Sequence, residues 1–407
     1  MLAVAAALVH RGHDVTFISG EAHRADPPKI GATFRLLPSA GGSPLHALRP
    51  YDDAAAQAVA MRPLLEEIRP DAALVDVITV GAAVGMELLS IPFATLVPHP
   101  LHTPSRALPP FGYGRPAGRD PLMRFRDAWM RTNNRKDLER ARADLNRNRE
   151  ALSIAPSESL DVGLSRHLVL VATLPSLEIP RPDWPANAHV VGPCLWDVPG
   201  EPFEPPAGEG PLVMIAPSTA YDGDRLLAPA LDAVARLGVP AVVTAGAAAL
   251  PDTLPSNVST TNARHAAVLP HVAAVVCNGG HGTVVRALSA GVPLVVVPGH
   301  GDQQENAFRV ERAGAGIQVR RRKPTPPPIA RALARVLAKR SYTEAAEAIS
   351  AESEAIDGPE RAALVFDETF SNRTPEMTEG GQMPAPLPNG GLVSTPPRSP
   401  REPRASR

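Results

Sequence analysis

Short apolar runs alternate with amphipathic stretches in two blocks of the chain, separated by a proline-rich middle. In the first block, Leu2–Arg11 repeats small and apolar residues at helical spacing and stops at Gly12. Asp14–Ile18 then reads as a strand, Ala54–Ile68 as a helix and Ala72–Val77 as a strand. Val80–Leu89 follows as a helix and Ile91–Val97 as a strand. The second block reads as strand Leu212–Ala216, helix Asp224–Leu237 and strand Ala241–Thr244. After it come strand Val272–Cys277, a helix from about Gly282 to Gly291, strand Val292–Val297, and helices over Pro327–Phe370. Strands of this kind, apolar at nearly every position and spaced by helices, predict an α/β protein. Its parallel sheets are covered on both faces.

The stretches between the blocks differ in kind. Pro98–Asp120 is rich in Pro, Gly and Arg, and irregular segments of that length usually carry function. Arg124–Leu152 is a charged helical stretch. Residues 173–210 carry repeated prolines without sustained periodicity and read as a linker. The expected division is 1–172, linker 173–210, 211–370, and a disordered tail 371–407. The tail is too poor in large apolar side chains to offset its ordering entropy.

Composition narrows the function. The 407 residues allow two domains, and 41 Lys+Arg against 42 Asp+Glu give no reason to expect a nucleic-acid partner. The two cysteines, Cys194 and Cys277, support neither a disulfide framework nor zinc spacing, and read as buried free thiols of a reducing compartment. No run of 18 apolar residues occurs. The apolar start lacks a basic leader and a cleavage site, so it reads as a helix of a cytoplasmic protein with at most peripheral membrane contact. Oligomeric state is not legible.

The most informative stretch is Asn278-Gly-Gly-His-Gly-Thr283, followed by Ala287-Leu288, Ala290-Gly-Val-Pro293 and Asp302-Gln303. A strand ends at a glycine turn that opens a helix, where free N–H groups and the helix dipole favour an anion. The next strand ends at an acid and an amide, which suit sugar hydroxyls. In a parallel sheet both turns lie at the same edge.

This ordered string resembles the C-terminal signature of family 1 glycosyltransferases of the GT-B fold, of the bacterial natural-product and glycolipid type. The resemblance implies two Rossmann-like domains facing a cleft. The donor is a nucleoside-diphosphate sugar, the acceptor is apolar, and no metal or tightly bound cofactor is needed. Transfer of a hexose or deoxyhexose to a hydroxyl is inverting. Asn278, Gly279, Gly280, His281, Gly282 and Thr283 then surround the phosphates, with Ser218 and Thr219 beneath them. His265 lies at the base, and Asp302 and Gln303 at the sugar. Asn278 stands where the family carries His, and Arg286 where many members carry Glu.

Asp76 matches the acid that orients the family's catalytic His, and is the catalytic candidate. The family's first strand and its Gly-His turn align upstream of Met1: a start further upstream would supply both, and otherwise the sheet lacks its first strand and Asp76 its histidine. Two alternatives stay open beside the transferase. One is a non-catalytic nucleotide-sugar-binding or partner protein. The other is a lipid-linked cell-wall glycosyltransferase or a sugar-nucleotide epimerase of the same fold.

Overall fold

The computed structural model describes residues 1–38, 51, 53–197, 200–206, 209–217, 226–244, 250–299, 301–320 and 324–371. All of these fall within one compact unit, Met1–Asn372, and the expected disordered tail lies, but for Ser371, outside the described residues.

The N-terminal part begins with helix α1 (Leu2–His10), then strands β1 (Thr16–Ser19) and β2 (Thr33–Leu36), helix α2 (Ala54–Ile68) and strand β3 (Ala73–Asp76). Helix α3 (Val80–Leu88), strand β4 (Phe93–Val97), helix α4 (Pro121–Ala151), strand β5 (Leu168–Val171) and strand β6 (Ala188–Val190) complete it. Strands β3-β4-β5-β6 form a four-stranded parallel sheet in that order. Among the described residues strands β1 and β2 pair only with each other. Ile18 of β1 and Val75 of β3 nevertheless pack against one cluster with Met61, Leu65 and Phe93. The two pieces therefore share a core without sharing a hydrogen-bond ladder. The amino group of Met1 is enclosed at the start of α1. Burial holds its pKa below the usual amine value, against the opposing pull of Cys194 and Asp76.

The C-terminal part holds a six-stranded parallel sheet. Its strands are β7 (Val213–Ala216), β8 (Ala241–Thr244), β9 (Val258–Thr261), β10 (Ala274–Cys277), β11 (Leu294–Val296) and β12 (Gly316–Gln318), in the order β12-β11-β10-β7-β8-β9. Successive side chains leave opposite faces. Val213 and Ile215 pack with Leu231 and Val234 of helix α5 (Leu227–Leu237). Met214 and Ala216 pack on the other face with Val284 and Leu288. Both faces are thus covered, which is why β7, β10 and β11 are apolar at every position. Short helix α6 (His265–Val268) precedes β10. The remaining helices are α7 (His281–Ser289), α8 (Gln303–Arg312), α9 (Pro326–Ala338), α10 (Arg340–Glu354) and α11 (Gly358–Phe370).

Helix α11 leaves its own sheet. Its Ala362, Ala363 and Phe366 share a core cluster with Val4, Leu8, Leu96, Leu168 and Leu170. Arg11 seals this seat with 2.6 Å contacts to Glu360 and Asp367. The proline-rich middle is not all linker, because β6 lies within it and pairs with β5. Cys277 is buried, Cys194 half-buried, and both are unpaired. Burial pushes each thiol up to about 12.

Candidate functional site

The sheet order reverses direction around β7, with β8 on one side and β10 on the other. Such a switch point leaves a crevice at the carboxyl ends of the strands. Cys277, the last residue of β10, lies beside Ala216 and Val296, so the turns after β7, β10 and β11 converge there. Ser218 and Thr219, expected on the turn after β7, lie outside the described residues.

The turn after β10 has two glycines with different jobs. Gly279 has φ of +87°, and an added Cβ would meet Val296 Cγ1 at 2.6 Å and the Gln303 carbonyl at 3.1 Å. Only glycine fits there. Gly280 has φ of −58°, and an added Cβ would meet nothing within 4 Å. Its side of the turn is open space over the start of α7. The Gly280 carbonyl accepts from Thr283 and Val284 N–H at 3.1 Å. The earlier amides of the turn, around His281 and exposed Gly282, have no partner within the helix.

The His281 ring turns inward. Both ring nitrogens are shut off from solvent beside Asn306 and the Ala172 backbone, without a well-formed hydrogen bond, although the residue as a whole is half-buried. Burial, with His99 nearby, pushes its pKa down to about 3, so the ring is neutral. At this site His281 therefore presents its backbone to the turn, whereas the sequence expectation was donation to phosphate.

Asn306 ties the two turns together. Its Nδ2 donates to the Gly279 carbonyl and to Asp302 Oδ2, each at 2.9 Å. Asp302 occupies the position before α8 but makes no side-chain cap there. Gln303 is buried, and its Oε1 accepts from Gly299 N–H at 2.8 Å. It braces the loop that carries Asp302, while Asp302 itself stays half-buried at the edge.

On the β8 side, His265 Nε2 lies 3.2 Å from Thr244 Oγ1. Burial, then nearby Arg286, lowers its pKa. Arg286 donates to the Trp196 carbonyl at 2.9 Å and to Asp197 Oδ1 at 3.1 Å, so it anchors the chain that enters β7. The side chain that replaces the family's usual Glu is thus engaged with the protein itself.

The segment 98–120 closes over this edge. An added Cβ at Gly112 would lie 3.6 Å from the Gly301 carbonyl, and one at Gly114 would overlap the Gln304 carbonyl. Gly114 N–H donates to Glu305 Oε2 at 3.2 Å. Glu305 also accepts from Arg309 at 2.9 Å, and Arg309 reaches Glu178 at 2.9 Å and the Leu177 carbonyl at 2.7 Å. Glu178 in turn accepts from Leu101 N–H at 2.7 Å. Within the segment His99 stacks on Phe111 with ring centroids 5.2 Å apart, and His102 meets His99 edge-on at 5.2 Å.

Asp76 ends β3. Its Oδ1 accepts from Ile78 N–H at 3.0 Å, and its carbonyl accepts from Thr79 Oγ1 at 2.7 Å. Its carboxylate keeps a second oxygen for another partner. Sequence reasoning missed Glu178, Glu305, Arg309 and Thr244. The Glu305–Arg309 spacing of four on one helix was a usable signal. Nothing local marked Glu178, which lies 131 residues from Arg309.

Known proteins agree with this architecture. Residues 228–366 match the model of the EryCIII-like C-terminal domain, described as the erythromycin biosynthesis protein CIII-like C-terminal domain. The chain is 33% identical over 372 residues to 4'-demethylrebeccamycin synthase of Lentzea aerocolonigenes, covering 83% of this chain and 88% of that one. It is 29% identical over 321 residues to vancomycin aglycone glucosyltransferase of Amycolatopsis orientalis, covering 75% and 77%. A rhamnosyltransferase of PGL/p-HBAD biosynthesis from Mycobacterium bovis is 37% identical over 182 residues, 44% of this chain and 40% of that one. Among solved structures, the glycosyltransferase of kitacinnamycin superposes with a TM-score of 0.73 at 23% identity, covering 91% and 95%. The spinosyn rhamnosyltransferase SpnG, solved with thymidine diphosphate, gives 0.60 at 23% identity, covering 90% and 95%. With a glycine turn at the switch point and a relative of this identity along most of its length, the chain belongs to the family 1 glycosyltransferases of GT-B fold that serve natural-product and glycolipid biosynthesis.

Proposed function

We propose that this glycosyltransferase moves a hexose or deoxyhexose from a nucleoside-diphosphate sugar to a hydroxyl of an apolar natural product or lipid, with inversion at the anomeric carbon. In this reading residues 1–172, joined by β6, bind the acceptor, the rest of 173–210 links, and 211–370 bind the donor. The observation that carries it is the open turn at Gly280, where unpaired amides at the start of α7 face the crevice. Those amides take the charge that builds on the leaving diphosphate, and a fixed dipole there needs no reorganisation as the bond breaks. Asp302 lies close enough to the turn, through Asn306, to meet the sugar of the same donor. The thymidine diphosphate held by the spinosyn rhamnosyltransferase supports a donor of this class.

The acceptor hydroxyl must lose a proton. Asp76 is the positioning residue of that step: its carboxylate stabilises the cation of the group that takes the proton. Among the described residues no histidine hydrogen-bonds Asp76. A donor-binding protein without transfer is therefore the second reading. The test is incubation of the protein with TDP- and UDP-hexoses and a panel of soluble and lipid-linked acceptors, read by mass spectrometry. A product heavier by one sugar, of inverted anomeric configuration, supports transfer. Nucleotide binding with no product from any acceptor supports the second reading.

A further inference from the structure

Helix α4 is held at one end and bare at the other. Its C-terminal turns are anchored: Leu145 is buried with Ala54, Ala58, Val80 and Val84, and Asn148 exchanges hydrogen bonds with Ala55 and Tyr51. Its first turns are different. Leu122 is 78% exposed, Phe125 72% and Trp129 61%. These residues are spaced three and four apart, so they form one stripe on one face of the helix. Met123 adds a fourth exposed side chain. Four of the ten large apolar side chains exposed among the described residues thus fall within eight positions. Single exposed apolar residues need no explanation, but a stripe does.

The charge around the stripe has one sign. From Arg115 to Lys136 there are seven Arg or Lys and two acids. One acid is exposed and one is buried. Asp120 caps the helix at Met123 N–H, and Asp127 is buried, accepting from Gly118 N–H at 2.6 Å and pairing with Arg126. Arg124 and Arg131, seven residues apart on one flank, have no carboxylate partner among the described residues, and Lys136 continues the line of the stripe.

We propose that the N-terminal half of α4 is a membrane-docking surface that seats on anionic lipid. Leucine, phenylalanine and tryptophan side chains on a short helix enter the boundary between headgroups and acyl chains, while flanking cations meet lipid phosphates. A second copy of this chain is a poor occupant, because a symmetric contact through α4 would set the same arginines against each other. The uncompensated positive charge selects an acidic surface, and the apolar stripe selects one with an accessible hydrocarbon layer. The surface holds the enzyme where apolar acceptors concentrate.

The test is co-sedimentation of the full chain with vesicles of phosphatidylcholine alone or mixed equally with phosphatidylglycerol, together with tryptophan emission. Trp184 and Trp196 are half-buried, so a blue shift that is lost in Trp129→Phe reports this face. The expected result is binding to the anionic vesicles that weakens with salt. Removing two cations in Arg124→Gln with Arg131→Gln weakens it about thirtyfold, at roughly a kcal/mol per cation near such a surface. The triple change Leu122→Ser, Phe125→Ser and Trp129→Ser abolishes co-sedimentation with the anionic vesicles, while its melting temperature stays that of the parent. A protein that stays in the supernatant with anionic vesicles overturns the proposal. So does an arginine pair variant that binds them as well as the parent, even if the triple variant misfolds. Binding to polyglutamate without binding to vesicles assigns the face to an acidic protein instead.

Discussion

Arg309 of α8, buried, and Glu178, half-buried on the chain that leaves β5, form an ion pair with Nη1 and Oε2 2.9 Å apart. Arg309 also holds Glu305, which accepts from Gly114 in the segment that closes over the crevice. One guanidinium thus couples the segment 98–120 to the helix that starts at the expected sugar turn. Replacing Arg309 by Met removes the cation and strands two carboxylates. Stability is expected to fall by about 3–5 kcal/mol, as for other buried pairs broken on one side. Urea unfolding measures it, and a loss under about 1 kcal/mol would mean that the pair behaves as an exposed one.

The two glycines of the turn separate fold from function. Gly279→Ala forces a left-handed conformation on alanine and drives its Cβ into Val296. The expected loss is about 2 kcal/mol or more of stability. Gly280→Ala has ordinary φ and open space. Its melting temperature should match the parent, while affinity for TDP or UDP falls about tenfold, or about 1.4 kcal/mol, because the methyl group holds the phosphate off the amides. Equal nucleotide affinity in parent and Gly280→Ala, by titration calorimetry, would remove the turn from the donor site.

Acid should weaken the fold through two histidines. Burial pushes His281 and His102 each down to about 3, with neighbouring His99 adding to the effect. In the unfolded chain each titrates near about 6.5. Above that pH neither state binds a proton and the pair is neutral to stability. As pH falls below it, the unfolded state binds protons that the folded state refuses. Stability then drops, and continues to drop until the folded values are reached. The slope is of order 1 kcal/mol per pH unit for each histidine. Thermal melts between pH 7.5 and 5 should show it, and His281→Asn should flatten the slope by about half. A parent whose melting temperature holds constant over that range contradicts the enclosed, neutral rings.

Asp76→Asn keeps an oxygen for the Ile78 N–H but removes the charge. Little stability should change. Turnover should fall about a hundredfold or more if the carboxylate supports the proton acceptor. The acid limb of the pH–rate profile should also move to lower pH, since a lost anion no longer favours the cationic form. Asp76→Glu should restore part of the rate. An Asp76→Asn protein with parental kcat and an unmoved profile would leave Asp76 as a turn cap only.

Much of the architecture was legible because its signals are local. Strands β7, β10 and β11 are buried on both faces, so their residues form unbroken apolar runs. Helix α7 announces itself by glycines before it and Gly291 after it. Helix α2 matched its expected span residue for residue, Ala54–Ile68, despite Pro63 within it. The missed strands, among them the short β2, were ones whose patterns carry less. Strand β9 is a half-exposed Val-Ser-Thr-Thr edge, and β12 is three residues long. Strand β5, a four-residue apolar run between a charged helix and a proline-rich stretch, lacked neighbours that would have marked it.

At the site, the same division holds residue by residue. The sequence by itself determined that a glycine turn opens a helix after β10, that Asp302 and Gln303 open the next, and that Asp76 ends a strand. Each follows from backbone freedom, helix starts and side-chain period, which act within a few residues. Only the tertiary structure decided that the His281 ring faces inward, that Gln303 braces Gly299 and that Arg286 is held by Asp197. The seat of α11 on β4 and β5, and the Glu178–Arg309–Glu305 chain of charges, were decided there too. Those outcomes depend on which surfaces meet across a hundred or more residues. Burial then sets which polar group must find a partner, and no local pattern records that choice.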